Sequence, residues 1–317
     1  MARDQIRRDE IRRRDEPLRR GLGRRLVIGA PYLWLGAFFA LPVLIVFKIA
    51  LSYPELAQPP YGPTLDLAGG WDGFVSFLGE LSFDNFVFIT SDDLYVAALG
   101  SSLRIAASST LILLLVGYPI AYAMAKASPS LRGILVAAVI LPFWTSFLIR
   151  VYAWIGILRP EGLLNGALMA IGVIDQPLQI LNTEIAVHIG IVYTYLPFMV
   201  LPLYATLERM DDTLIEAAQD LGSTPLKAFW TITVPLSWPG IVAGALLCFI
   251  PAVGEFVIPD LLGGSDTLMI GRILWSEFFS NRDWPLASAV AIVMLVVLVV
   301  PIVLFREAEA RRLEEGR

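Results

Sequence analysis

Six long apolar stretches constrain this chain more than any other feature of its sequence. Each is long enough for a membrane-spanning helix, which needs about 20 mostly apolar residues. Hydrophobic residues make up 56% of the 317 residues and charged residues only 17%, so a soluble fold or a disordered chain is excluded. We therefore predict an all-α integral membrane protein with six transmembrane helices at about Leu26–Leu51, Leu94–Ala125, Leu131–Leu158, Ile185–Leu207, Pro239–Leu262 and Pro285–Phe305.

The positive charges predict the orientation of these helices. Most of the 24 Lys and Arg side chains fall in the Arg-rich tail 1–25, in the connections 126–130 and 208–238, and in the tail 307–317. Only Arg159, Arg272 and Arg282 fall on the opposite side, and the acidic connection within 26–93 has none. Because cytoplasmic loops carry the excess of Lys and Arg, we expect both termini in the cytoplasm.

Prolines interrupt the predicted spans, for example Pro119, Pro142, Pro197 and Pro251. In lipid, such interruptions need neighbouring helices or water to satisfy the freed backbone groups. The spans are therefore expected to pack around a polar or mobile centre. The alternative is that these prolines only reflect the higher frequency of proline in membrane helices.

The long connection between the fourth and fifth spans predicts two short helices on the cytoplasmic surface. Thr213 and Glu216 fit a capping box at the start of a helix that ends at Leu221. Gly222 suits the left-handed position that follows. Thr224 can cap a second helix that has Pro225 at its first position and that is expected to stop before Pro235.

The same segment resembles the EAA loop of ABC-transporter permeases. The matching residues are Glu216, Ala217, Ala218, Gly222 and Pro235. The resemblance implies a type I permease fold in residues 94–306 and coupling helices in 208–238 that dock into a separate ATPase subunit. An ordinary amphipathic interface helix is the alternative interpretation of these residues.

Longer stretches are similar to the polyamine (spermidine/putrescine) branch of these permeases. They are Leu141–Arg150 with Tyr152–Trp154, Tyr195–Phe198 with Leu201–Tyr204, Phe249–Gly264 and Arg282–Pro285. The resemblance implies a bacterial inner-membrane importer with two ATPase subunits, a second, paralogous permease and an extracytoplasmic solute-binding protein. The tail 1–25 lies outside this resemblance, and its arginines could contact anionic membrane lipids.

The chain itself contains no sign of catalytic or nucleotide chemistry. It has no phosphate-binding G-x-x-x-x-G-K-[ST] loop, and His188 and Cys248 are its only histidine and cysteine. We therefore expect no enzyme activity, cofactor, metal or nucleic-acid partner in this chain, and we expect ATP and Mg²⁺ to be used by the partner ATPase.

Glu255 is the strongest candidate for a residue on the substrate pathway. An ionisable group deep in a span is energetically costly, and those that occur there usually have a function. Its position in the predicted span places it in the outer half of the membrane, at a depth similar to that of Arg150. A structural ion pair between Glu255 and Arg150 is therefore an equally weighted alternative. Carboxylates and aromatic faces attract the ammonium groups of a polyamine. Further pathway candidates are Asp260, Trp144, Tyr152 and Tyr195.

Two broader alternatives remain open from the sequence. Related permeases carry other small solutes, so the substrate could differ from a polyamine. A secondary transporter that works alone is the second alternative, although no clear internal repeat supports it.

Overall fold

A computed structural model describes residues 27–64 and 70–315, with side chains up to residue 303. The predicted tail 1–25 lies outside the described residues. Within them the chain is mainly helical, and a short antiparallel hairpin pairs Tyr53–Pro54 (β1) with Tyr61–Gly62 (β2). The helices are α1 (Val27–Ala50), α2 (Gly70–Gly79), α3 (Asp84–Ser91), α4 (Asp93–Lys126), α5 (Pro129–Ile140), α6 (Phe147–Leu158), α7 (Leu163–Ala170), α8 (Glu184–Leu207), α9 (Thr213–Asp220), α10 (Pro225–Leu236), α11 (Trp238–Val253), α12 (Val257–Leu262), α13 (Ile270–Trp275) and α14 (Trp284–Glu315).

Four of the described helices are each long and apolar enough to cross a membrane, namely α1, α4, α8 and the first 20 residues of α14. They coincide with the first, second, fourth and sixth predicted spans. Two further spans are present if each of two bent helix pairs counts as one span. The predicted helical membrane fold is therefore confirmed, and four to six of its segments are long and apolar enough to cross a membrane.

The third predicted span, Leu131–Leu158, was wrong as a continuous helix. Helix α5 and a 3₁₀ turn over Leu141–Trp144 lead into extended backbone at Thr145, and the axis bends by 90° before α6 begins. Pro142 cannot donate a backbone hydrogen bond. Both the N–H and the hydroxyl of Thr145 donate to the Pro142 carbonyl, which closes the turn and ends the helix.

The fifth predicted span, Pro239–Leu262, is also not one helix. Helix α11 ends at Val253, residues 254–256 form a break, and α12 begins at Val257. The tight approach of α13 contributes to this break. A Cβ atom on Gly271 of α13 would lie 2.5 Å from the Gly254 carbonyl oxygen, so only glycine allows this contact.

The described chain divides into two compact units, and helix α14 contributes to both. The first unit contains residues up to 86 and 283–293. In it, Lys48 near the end of α1 donates to the Pro63 carbonyl and lies 4.5 Å from the centre of the Tyr61 ring. Asn85 donates to the carbonyls of Ala50 and Ser52. The segment that follows α1 is thereby fixed to the end of that helix.

The second unit contains residues 87–282 and those from 294 onward. Its core forms where α4, α8 and α11 pack against one another. Glycine allows these helices to approach closely, as in other membrane helix bundles. A Cβ atom on Gly117 of α4 or on Gly244 of α11 would lie 2.9 Å from the side chain of Met199 on α8. The largest buried side chains of this core include Ile105, Leu113, Met124, Ile191, Met199, Leu203 and Ile258.

Candidate functional site

The connection between α8 and α11 folds into the two short helices that the sequence predicts. Gly222 follows α9 with a φ of +86°, which confirms its left-handed conformation. Thr224 accepts a hydrogen bond at 3.3 Å from the Lys227 N–H, and Pro225 begins α10. The glycine turn therefore sets the direction of α10 relative to α9.

The predicted capping box was wrong in detail. Thr213 is the first residue of α9 rather than its cap, and the Asp211 carboxylate accepts a hydrogen bond at 3.0 Å from the Thr213 N–H. This hydrogen bond lowers the pKa of Asp211 below its usual value. The helix runs from Thr213 to Asp220, so it begins and ends one residue earlier than predicted.

The predicted stop before Pro235 was also wrong. A π-helical turn over Phe229–Thr233 continues into a last α-helical turn, Val234–Leu236. Pro235 lies in that last turn, directly after the π-helical turn, and the helix ends one residue later, at Leu236. The helix then bends by 63° at Ser237 and enters α11.

The helical pair carries exposed apolar side chains on an otherwise polar segment. Leu221 is 90% exposed and Leu226 70%, and Leu214 and Trp230 are exposed as well. Of the residues predicted to couple to an ATPase, Glu216, Ala217, Gly222 and Pro235 are exposed, and Ala218 is half-buried. These residues lie on a surface that a partner can reach.

Ion pairs and rings connect this segment to α4 and α5. Lys126 pairs with Asp212, and Arg132 pairs with Glu208 at 3.4 Å. The Phe229 ring meets the rings of Tyr118 and Tyr122 edge to face at 5.6 and 5.7 Å. A displacement of the helical pair would therefore be passed directly to α4.

The second candidate site is a cavity of about 980 Å³ in the second unit. The two helix breaks form part of its wall, since Thr145 comes from one break and Gly254, Glu255 and Phe256 from the other. Aromatic rings supply much of the remaining surface. The lining residues are Phe143, Thr145, Phe147, Leu148, Arg150, Thr194, Tyr195, Phe198, Pro251, Gly254, Glu255, Phe256, Val257 and Trp275.

Glu255 lies in this cavity wall and is only 8% exposed. Its Oε2 accepts a hydrogen bond from the Tyr195 hydroxyl at 2.7 Å. Its Oε1 accepts from the backbone N–H groups of Phe256, Val257 and Ile258 at 3.1–3.4 Å. Glu255 therefore caps the start of α12, where a negative charge is also favoured by the helix dipole.

The prediction of similar depth for Glu255 and Arg150 assumed two continuous helices, and neither helix is continuous. Glu255 lies in the break after α11, and Arg150 lies after the 90° bend that precedes α6. The structure nevertheless brings both side chains to the same cavity. Helix packing between α6 and α12 accounts for this proximity.

The alternative ion pair between Arg150 and Glu255 is not formed among the described residues. The Arg150 guanidinium carbon instead lies 5.0 Å from the centre of the Phe143 ring and 5.9 Å from that of Phe147. Its Nε and Nη1 atoms are buried without a hydrogen-bond partner in this part of the chain.

The other predicted pathway residues divide into two groups. Tyr195 lines the cavity and contacts Glu255. Asp260 instead pairs with Arg272 at 3.1 Å. Trp144 and Tyr152 are 84% and 58% exposed, and neither lines the cavity.

Several cavity residues were not singled out by the sequence. Phe256 stacks on Trp275 with 4.4 Å between ring centres. Phe256 could have been identified by its position beside Glu255. Trp275 could not, because it lies between the fifth and sixth predicted spans, in a segment that the sequence does not relate to residue 255.

Two further ionisable groups of the spans, Arg104 and His188, have structural partners. Arg104 donates two hydrogen bonds to the Glu184 carboxylate, at 2.8 and 2.7 Å. The two ring nitrogens of His188 contact the Ser108 hydroxyl and the Glu184 carbonyl. Cys248 is buried. Arg104 and His188 therefore belong to one polar cluster between α4 and α8, outside the cavity lining.

The chain is similar to known transport proteins over most of its length. Residues 29–314 match the family model described as binding-protein-dependent transport system inner membrane component. The spermidine/putrescine transport system permease protein PotB of Haemophilus influenzae is 38% identical over 284 residues, which cover 90% of this chain and 93% of that protein. PotB of Escherichia coli is 45% identical over 207 residues, which cover 65% and 75%.

Solved structures with low sequence identity share the fold. A bacterial ABC transporter involved in the import of the acidic polysaccharide alginate aligns with a TM-score of 0.65 and 19% identity, over 93% of this chain and 99% of that chain. A second structure of a bacterial alginate ABC transporter, in complex with alginate pentasaccharide-bound periplasmic protein, aligns with the same TM-score and identity over 93% and 97%.

Proposed function

This chain belongs to the family of binding-protein-dependent transport system inner membrane components, and we propose that it is the permease subunit of an ABC importer for polyamines. The PotB relatives of similar length support spermidine and putrescine as the solute class. The chain forms the membrane pathway and hydrolyses no ATP, because its sequence has no phosphate-binding loop.

The observation that carries this proposal is the Glu255 carboxylate in the aromatic cavity. A polyamine has ammonium groups separated by an alkyl chain. The carboxylate attracts an ammonium group, and the rings of Phe198 and Trp275 offer both cation–π contacts and apolar surface for the alkyl chain. Because Tyr195 and the first turn of α12 fix the carboxylate, it binds without further ordering.

The helical pair α9–α10 is the proposed docking site for an ATPase subunit. The exposed Leu221 and Leu226 supply apolar contact area, and Glu216 is available to a basic group. Ala217 and Ala218 allow close approach, Gly222 sets the turn, and Pro235 lies where α10 leads to α11. When the ATPase subunits close on nucleotide, they would move the helical pair, and the contact of Phe229 with Tyr118 would pass this movement to α4.

The complete importer would contain two ATPase subunits, a second, paralogous permease and an extracytoplasmic binding protein. Both termini and the helical pair would face the cytoplasm of a bacterium, as the positive-charge distribution favours. The pairing of Lys126 with Asp212 and of Arg132 with Glu208 supports one shared side for the connections 126–130 and 208–238.

Site-directed crosslinking tests the docking surface. A Leu221→Cys variant is expected to crosslink to the ATPase subunit in the assembled complex, and nucleotide binding is expected to change the yield. Cys248 is buried, so the unmodified chain serves as the background control. A matched Leu33→Cys variant, exposed on α1, should give no such product. An absent Leu221→Cys product in a complex that hydrolyses ATP would contradict the docking site.

The solute class is tested separately with the cognate binding protein. Labelled putrescine and spermidine are expected to bind it, and an excess of unlabelled polyamine should displace them, whereas neutral sugars should not. Selective binding of a different solute would leave the permease assignment in place and would overturn the polyamine assignment.

A further inference from the structure

The cavity contains one cation of the protein itself, which a pathway for cations does not obviously need. Of the described residues that line it, Arg150 is the only basic side chain and Glu255 the only acidic one. Like charges repel, so Arg150 disfavours a second ammonium group in its neighbourhood. The presence of Arg150 in a polyamine pathway therefore needs a functional explanation.

The hydrogen bonding of Arg150 is incomplete. Its Nε and Nη1 atoms are buried and have no acceptor among the described residues. Buried polar groups almost always have partners, and exceptions often mark functional positions. The rings of Phe143 and Phe147 hold the guanidinium by cation–π contact, which stabilises the charge without using its hydrogen bonds.

Glu255 has the complementary property. Its Oε1 is occupied by three backbone N–H groups of α12, while Oε2 accepts one hydrogen bond, from Tyr195. Each carboxylate oxygen has two lone pairs, so one acceptor position on Oε2 remains for a further donor. A substrate ammonium can use that position, and so can a guanidinium.

Removal of substrate would leave the Glu255 charge buried without a cation. An unpaired charge in a membrane protein is costly, and a group that neutralises it after each release lowers that cost. Arg150 is placed for this exchange. It follows the 90° bend at Thr145, and its guanidinium contacts rings on both sides of that bend. A change in the bend therefore changes where the guanidinium lies.

We propose that Arg150 is a tethered competitor of the substrate, whose guanidinium replaces the substrate ammonium at the free Oε2 position of Glu255 as the cavity empties. In the structure the Arg150 guanidinium lies against the rings of Phe143 and Phe147 and forms no ion pair with Glu255, so the exchange requires the guanidinium to leave these rings. This inference rests on the proposed function, because it assumes that Glu255 binds an ammonium group.

The test uses the complete importer in lipid nanodiscs and in proteoliposomes, with labelled spermidine. Removal of the competitor in Arg150→Gln is expected to tighten spermidine binding and to slow release. The dissociation constant and the maximal uptake rate should therefore both fall, each by about fivefold or more. A merely structural role would lower the amount of assembled complex or the rate without tightening binding.

Two further variants complete the test. In the Glu255→Gln background, Arg150→Gln should no longer tighten spermidine binding, because the competition needs the carboxylate. Arg150→Lys keeps a cation and should retain most of the uptake rate, and it decides the question if Arg150→Gln does not assemble. Arg104→Gln removes a membrane arginine outside the cavity lining and should leave the dissociation constant unchanged.

The outcomes separate this inference from the proposed function. Three results would overturn the competitor role alone. The first is unchanged or weaker spermidine binding in Arg150→Gln, and the second is tightening that persists without the Glu255 carboxylate. The third is an Arg150→Lys variant that takes up spermidine as slowly as Arg150→Gln or not at all. A wild-type complex that neither binds nor transports a polyamine would instead overturn the proposed function.

Discussion

At the scale of single residues, Glu255 combines two demands that usually conflict in a membrane. A buried carboxylate needs hydrogen-bond donors to be stable, and a binding group needs free acceptor capacity. Glu255 meets both because its two oxygens have different tasks. One caps α12, and the other is oriented by Tyr195 and keeps an open position.

This division predicts the effect of Glu255→Gln. The amide oxygen can still accept from the α12 backbone, so the complex should assemble in the membrane in normal amount. Loss of the charge should lower polyamine uptake at limiting solute by about tenfold or more, since a hydrogen bond to a charged group contributes about 1.5–3 kcal/mol. Labelled-spermidine uptake measures this. Glu161→Gln, an exposed carboxylate outside the cavity lining, is the control, and normal uptake in Glu255→Gln would refute the assignment.

Gly271 is predicted to set the position of the Gly254–Phe256 break. In Gly271→Ala the new Cβ would meet two backbone oxygens, those of Gly254 and Glu255, at 2.5 and 2.7 Å. Backbone must then move, at a cost of about 1–3 kcal/mol for overpacking. We expect a lower midpoint of thermal unfolding for the complex and reduced uptake. Gly133→Ala, where no heavy atom lies within 4 Å, should not lower the midpoint.

At the scale of helices, proline content predicts interruption but not its place. Pro119, Pro197 and Pro202 lie inside continuous helices, whereas Pro142 and Pro251 lie next to the two breaks. The difference comes from tertiary contacts, such as the approach of Gly271 to Gly254, and these are not visible in a local sequence window. Glu255 and Tyr195 could be identified as site residues from their own chemistry. Trp275 could not, because only tertiary contacts bring it to the site.

The short helices of the connection 208–238 were more predictable, because turns and caps are local. Gly222 illustrates this, since its left-handed φ follows from its position after a helix. The error at Thr213 is equally local in origin. Asp211 and Thr213 both offer a capping oxygen, and sequence spacing alone favours the wrong one.

Gly222 also provides a test at this scale. No atom lies within 4 Å of a Cβ built at Gly222, so a substitution there acts through backbone conformation alone. Gly222→Val should disturb the turn and reduce transport coupled to ATP hydrolysis, because a branched residue in the left-handed region costs about 1–2 kcal/mol. Gly222→Asn should be tolerated better. Equal transport per ATP hydrolysed in both variants would contradict this role of the turn.

At the scale of the whole molecule, the apolar stretches determine the class and the approximate positions of the spans. The cavity is a property of the assembled fold, since its lining comes from α6, α8, the end of α11, the two breaks, the start of α12 and α13. The helical pair reaches α4 through Phe229 and reaches α11 through the bend at Ser237. A partner that moves the pair can therefore change the core helices that border the cavity.

The central claim is that this chain is the passive membrane pathway of an ATP-driven polyamine importer. Spermidine accumulation in proteoliposomes tests it most directly, with the complete complex and with this chain alone. We predict accumulation against a gradient only when ATP, the ATPase subunits and the loaded binding protein are present. Uphill accumulation by the chain alone, or a fully assembled and ATP-hydrolysing complex that accumulates neither spermidine nor putrescine, would contradict the claim.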